Sequence, residues 1–222
     1  MCRYFFLGSA ILLIVTMTAC SAAHASATAI PNPAMDAPLA SVKGEQTAVL
    51  AGGCFWGVEA VFEHVRGVSR VESGYSGGSA KTAQYEQVST GETGHAESVR
   101  IIYDPSKITY GQLLKVFFAV AHDPTELNRQ GPDTGTQYRS AIFFSNDDQK
   151  SIARAYIDQL NEAKVFERPI VTQVVVLQAF YKAEEYHQDY LIHHPTEPYI
   201  VFNDLPKVEN LRKQLPELYK AK

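Results

Sequence analysis

Cys54, in the stretch Ala51-Gly52-Gly53-Cys54-Phe55-Trp56-Gly57, is the residue whose type and surroundings point most directly to chemistry. Thr47 to Leu50 is a β-branched and apolar run that reads as a strand. Phe55, Val58, Phe62 and Val65 then fall at helical spacing on one face, with Glu59 and Glu63 toward water. Cys54 therefore belongs at a strand-to-helix turn, where free backbone N–H groups and the positive end of the helix dipole favour a thiolate. Gly52 and Gly53 allow a sharp turn and leave room for a substrate, and Phe55 and Trp56 add an aromatic wall. A free cysteine is also among the most buried residue types, so an inert thiol in a tight turn is the competing reading. Position, glycines and aromatics together favour a nucleophile.

Glu97 is the second such residue. In an extended run Glu97, Val99, Ile101 and Tyr103 share one side, so the carboxyl group points where apolar side chains point. Desolvation would raise its pKa and let it donate a proton to a developing oxyanion. A solvated Glu97 closing the Gly91–Gly94 loop is the alternative, and the residues alone leave both open. Tyr85 and Tyr138 could each aim a phenol at the same oxygen, although one Tyr among 12 is more often a core or rim residue. Asp133, in Gly131-Pro132-Asp133, reads by itself as a turn aspartate. His187, His193 and His194 lack clustered acidic or cysteine partners, so they read as packed or surface side chains and no metal is expected. His122-Asp123 reads as a helix-end cap and His95 as structural.

These residues sit in a chain of 222 residues with 45% hydrophobic content, a one-domain size with enough apolar material for a sizeable core. A net charge of −4 offers no basic excess, and no nucleic acid is expected as a partner. Arg3 followed by the apolar run from Phe5 to Ala19 has the length of a signal-peptide core, with targeting expected over residues 1–25. Ala23-His24-Ala25 and Ala25-Ser26-Ala27 would release a soluble protein. Met17-Thr18-Ala19-Cys20 would instead leave a lipid anchor at Cys20, the one membrane attachment considered. Either route implies export, to the periplasm in a bacterium. Of three cysteines, Cys2 and Cys20 belong to this segment, so the folded part keeps Cys54 alone, without a disulfide framework.

Residues 26–45, rich in Ala, Pro and Ser, read as a flexible linker, and 46–222 as a single domain. The patterns predict strands over 68–75, 97–103, 138–145 and 171–177. They predict helices over 110–121, 147–164 and 182–191. Pro195 and Pro198 open an irregular C-terminal tail. Partial alternation with long loops reads as an α+β fold, helices packed on a mixed sheet.

Gly53-Cys54-Phe55-Trp56-Gly57 resembles the signature of the peptide methionine sulfoxide reductase A family. The resemblance continues through Gly94-His95-Ala96-Glu97, His122-Asp123-Pro124, Gly135-Thr136-Gln137-Tyr138-Arg139-Ser140 and Ala183-Glu184-Glu185-Tyr186-His187-Gln188, within residues 46–205. It implies a ferredoxin-like core with additional elements, and thiol-dependent reduction of methionine-S-sulfoxide, free or in oxidised proteins. By resemblance Cys54 is the nucleophile and becomes a sulfenic acid, while Glu97, Tyr85 and Tyr138 donate to the sulfoxide oxygen. Asp133 orders the site, and Phe55 and Trp56 hold the substrate methyl group. Many members carry resolving cysteines near the C-terminus, whereas no cysteine follows Cys54 here. No bound cofactor is expected; the reductant must be external, a small thiol or a thioredoxin-like protein. A thiol peroxidase would want a basic residue beside the thiolate. None stands near Cys54 in sequence, and Arg66 and Arg100 could approach only through folding. A peptide-binding module with a structural Cys54 is the non-enzymatic alternative.

Overall fold

The computed structural model describes residues 30–222. The targeting run and its two cysteines lie outside the described residues. Strand β1 (Gln46–Ala51) passes through Gly52-Gly53-Cys54 into α1 (Phe55–Glu63), followed by β2 (Val68–Ser76), α2 (Tyr85–Val88) and β3 (Ala96–Tyr103). Helix α3 (Tyr110–Val116) continues into a π-helical turn over Phe117–Ala121. A small hairpin of β4 (Arg129–Gln130) and β5 (Asp133–Thr134) precedes β6 (Ala141–Phe144) and the long α4 (Asp147–Glu162). Then come β7 (Gln173–Val176), β8 (Phe180–Lys182), α5 (Tyr190–His193) and α6 (Leu205–Gln214).

The main sheet has the order β7-β6-β1-β3-β2-β8. All its pairings are antiparallel except β6 with β7. β1, α1, β2, β3, α3 and β6 make up a ferredoxin-like unit, and β7 and β8 extend its two edges. The α+β expectation and the ferredoxin-like core are both found.

Sheet alternation explains where Glu97 points. Ala48, Leu50, Val99, Ile101 and Tyr103 face the helices and join Phe55, Val58, Phe62, Leu113, Leu114 and Phe117 in the main core. Val49, Ala51, Ala96, Ala141 and Phe143 form a smaller core on the opposite face. Glu97, in phase with Val99 and Ile101, is thereby directed at α1.

Four local readings need correction. Glu59 is not on a wet face: α1 is sandwiched between the sheet and the C-terminal segment. Glu59 is only 2% exposed, and its carboxylate accepts the Asp189 N–H at 3.1 Å. Tyr138 does not open a strand. It ends a 3₁₀ turn over Thr136–Tyr138, and the strand begins at Ala141. The helix expected over 182–191 is replaced by β8, a 3₁₀ turn at Glu185–His187 and the short α5, because Gly74–Ser76 offers an edge to pair with. Finally, the irregular tail regains order beyond Pro198: a π turn over Ile200–Asp204 runs into α6, with Pro206 tolerated in its first turn.

Residues 30–45 carry no regular helix or strand before β1 begins at Gln46, yet they are fastened rather than loose. Asp36 accepts the Gly111 N–H at 2.8 Å and the Thr109 hydroxyl, beside the reciprocal Thr109–Gln112 capping box that starts α3. Tyr156 donates to the Pro31 carbonyl at 2.7 Å, and Gln159 to that of Asn32 at 2.9 Å.

Candidate active site

Cys54 is the N-cap residue of α1, 8% exposed, the sole cysteine among the described residues. The turn before it uses a left-handed Gly53, with φ of 90°. The space beside both glycines is not left for a substrate, contrary to the sequence reading. A Cβ on Gly53 would fall 2.6 Å from Gln130, and one on Gly52 would fall 2.9 Å from the His122 ring. The glycines admit these two neighbours. His122 is partly buried and held neutral near a pKa of about 3, chiefly by desolvation; it contacts the Phe117 carbonyl at 3.1 Å and Ser140 Oγ at 2.7 Å. It caps the helix end as expected, by hydrogen bonding rather than by charge.

Glu97 is 2% exposed, and its Oε2 accepts the N–H of Phe55, the residue after Cys54, at 3.1 Å. Burial pushes its pKa up to about 8, against the lowering effect of that amide, and Asp133 adds to the rise. Glu97 is therefore mostly protonated near neutrality. The same electrostatics correct the expectation of a resting thiolate. Burial raises the Cys54 thiol first, then the nearby Glu97 and Asp204 carboxylates; the Trp56 amide and the Lys207 ammonium lower it less. The helix N-terminus does act on the sulfur, but desolvation outweighs it.

Tyr85 and Tyr138 converge on this pair. Burial and the charges of Glu97 and Cys54 raise both phenols, so both are donors at neutral pH. Tyr85 is placed by Glu184, which accepts the Tyr85 N–H at 3.0 Å and the Tyr75 hydroxyl at 2.8 Å. Tyr138 is placed by Arg139, which donates to the carbonyls of Gly94, at 2.9 Å, and His95, at 3.0 Å. That guanidinium ties the Gly94–Glu97 block to the Gly135–Ser140 block. Asp133 accepts the hydroxyl of Tyr199 and lines a cavity of about 350 Å³ together with Cys54, Tyr199, Phe202 and Lys207.

Phe55 and Trp56, adjacent in sequence, part company. Phe55 is 0% exposed and packs on Tyr75 and His187, so it belongs to the core. Successive helical residues point about 100° apart, and Phe55 takes the inward direction. Trp56 is half-buried; it stacks on Tyr190 at 3.7 Å, meets Tyr199 edge-on at 5.9 Å, and donates Nε1–H to His187 Nδ1 at 3.2 Å.

A family model described as peptide methionine sulfoxide reductase matches residues 46–218. The chain belongs to the peptide methionine sulfoxide reductase family. It is 63% identical over 179 residues to peptide methionine sulfoxide reductase MsrA 2 of Mesorhizobium japonicum, covering 81% of this chain and 92% of the relative. It is 53% identical over 194 residues to MsrA 2 of Synechocystis, covering 86% and 91%. Among solved structures, methionine sulfoxide reductase A of Corynebacterium diphtheriae superposes with a TM-score of 0.60 at 36% identity, covering 69% of this chain and 77% of that one. Mxr1 of Saccharomyces cerevisiae in reduced form gives 0.62 at 33%, covering 74% and 92%. The protein is an oxidoreductase that reduces methionine sulfoxide to methionine, a protein-repair activity.

Within this reductase, sequence reasoning missed the contribution of the C-terminal segment. Tyr190, Tyr199, Asp204 and Lys207 all gather around Cys54 and Trp56. The one available signal was composition: Tyr199 and His187 sit among aromatics in an otherwise polar stretch. Lys207 also supplies the nearby cation that the local sequence around Cys54 lacks.

Proposed function

We propose that Cys54 is the nucleophile of a reductase acting on the S epimer of methionine sulfoxide, free or within polypeptides. The observation that carries this reading is the buried Glu97 carboxyl, protonated near neutrality and joined to the amide immediately after Cys54. A sulfoxide offers an electrophilic sulfur and a basic oxygen. Glu97, Tyr85 and Tyr138 donate to that oxygen, which makes the sulfur easier to attack, while Trp56 holds the methyl group by apolar contact. The thiolate attacks, the sulfur–oxygen bond breaks, and oxygen and proton end on Cys54. Methionine sulfoxide is reduced by two electrons and Cys54 is oxidised to a sulfenic acid. Asp133, fixed by Tyr199, orders this wall of the site.

The return step needs an outside reductant, because no second cysteine stands among the described residues. One external thiol displaces the sulfenic oxygen as water and forms a mixed disulfide; a second thiol releases Cys54. A small thiol or a thioredoxin-like protein fits this role. The apolar run from Phe5 to Ala19 supports export, with soluble and Cys20-anchored forms as the two outcomes. Turnover of each separated sulfoxide epimer with dithiothreitol tests the proposal. Methionine is expected from the S epimer alone, and equal use of both epimers would refute the stereochemical reading.

A further inference from the structure

Charged groups reach Cys54 from several elements, and one cation stands among them. Glu97 comes from β3, Asp133 from the hairpin, and Tyr85, Tyr138, Tyr190 and Tyr199 present phenols; His122 is neutral. Asp204 closes the π turn before α6, and Lys207 lies in the first turn of α6. Lys207 Nζ donates to Asp204 Oδ1 at 3.1 Å. Asp204 is fully buried, and its second oxygen has no hydrogen-bond partner among the described residues. The pair is pressed onto α1 at Gly57: a Cβ there would fall 2.1 Å from Asp204 Oδ1 and 2.7 Å from Lys207 Nζ. Gly57 is three residues beyond Cys54, on the same side of the first helical turn. Lys207 and Cys54 also line the same cavity.

Asp204 is the N-cap residue of α6, yet its side chain caps no backbone N–H there. A buried carboxylate with an unsatisfied oxygen is destabilising, and an apolar contact at Gly57 would fill the space more cheaply. We infer that Lys207, held by Asp204 against Gly57, is a positioning residue for the reductase, keeping the Cys54 sulfur available as an anion in a pocket otherwise walled by carboxylates and phenols. The inference rests on Cys54 being the nucleophile. The two members of the pair act on the sulfur with opposite sign: the ammonium stabilises the thiolate, and the carboxylate opposes it. Asp204 holds the ammonium in place at some electrostatic cost.

Opposite signs make the test decisive. The rate of Cys54 alkylation by iodoacetamide is followed against pH in the full chain, for the wild type, Lys207→Met, Lys207→Arg and Asp204→Asn. Lys207→Met should slow alkylation about 10-fold near neutrality, a shift of roughly one pH unit in the profile, and Lys207→Arg should restore most of it. Asp204→Asn keeps an acceptor for Lys207 but removes the opposing charge, so it should speed alkylation. A purely structural role would loosen the site and move Lys207→Met and Asp204→Asn in the same direction. That result, or an unchanged rate in Lys207→Met, overturns the inference. Alkylation involves no sulfoxide, so its failure leaves the nucleophile assignment standing; methionine release by the wild type and its loss in Cys54→Ser decide that separately.

Discussion

Glu97 Oε2 and the Phe55 amide meet at 3.1 Å, and through this contact a strand residue caps the helix that begins beside Cys54. In the proposed mechanism one carboxyl group thus serves the fold and the reaction together. Held near a pKa of about 8 by burial, it keeps a proton while the neighbouring sulfur must lose one. In the proposed reaction the productive state has the proton on Glu97 and the charge on Cys54, and the two ionisations are coupled.

Glu97→Gln separates these roles. The amide cannot give up a proton, so reduction should slow by about 10²- to 10⁴-fold. At neutral pH, where Glu97 already carries its proton, alkylation of Cys54 should change little; above about pH 8, where the wild type gains the Glu97 charge that raises the thiol, the variant should alkylate faster. The wild type should lose activity as pH rises through about 8, where Glu97 loses its proton, and the variant should lack that alkaline limb. Turnover and alkylation falling together would contradict the coupling.

A single addition of sulfoxide without reductant should release one methionine per chain and leave a trappable sulfenic acid on Cys54. Among the described residues no thiol can condense with it. Mass spectrometry with a sulfenic-acid trap reads the outcome, and Cys54→Ser should release none. Methionine release with no trapped Cys54 would refute the oxygen-transfer step.

His187→Leu removes the acceptor of Trp56 Nε1–H and leaves a partly buried donor unpaired. The loss should lower kcat/KM about 10-fold, in line with a cost of about 1–3 kcal/mol. Trp56 is the one tryptophan in the chain, so its fluorescence reports the change directly. An unshifted emission with unchanged kinetics would show that the stack on Tyr190 alone orients the ring.

Gly57→Ala places a methyl group against Asp204 and Lys207, where a Cβ has only 2.1 Å to the nearest oxygen. The α6 segment must move or α1 must bend, at about 1–3 kcal/mol of stability. Urea unfolding measures the loss. Wild-type stability would mean that α6 rides loosely on α1.

Asp36→Ala should cost about 0.5–1.5 kcal/mol by leaving the Gly111 N–H and the Thr109 hydroxyl without their acceptor, while the Thr109–Gln112 box stays. Activity should be preserved at temperatures where the variant stays folded. Thermal melts and turnover on the same preparation check both halves.

Cys54 was legible in the sequence because glycines and a strand-to-helix change frame it. For Glu97 the alternation through Tyr103 left a buried and a solvated carboxyl group both open, and only the family resemblance chose between them. Burial on both sides of α1 was not legible, since Glu59 and Glu63 suggest a wet face until the tail is known to cover it. Lys207 and Asp204 stayed hidden for the same reason. In α6 only Leu211 is buried, so periodicity gives little warning that its first turn completes the site. Strand β8 has three residues and carries too little pattern to be seen. Phe55 and Trp56 look equivalent as letters, and only the helix phase separates core from pocket.

The dependence of the site on residues beyond Phe180 bears on the order in which the protein is made. A nascent chain that has emerged as far as Leu177 already holds Cys54, Glu97, Tyr85 and Tyr138. It still lacks the stack on Trp56, the clasp on Asp133 and the Lys207 ammonium. Until the segment beyond Phe180 docks on α1, Cys54 has no neighbouring ammonium and Trp56 no stacking partner. Completion of the site is thereby tied to docking of this segment rather than to formation of the sheet.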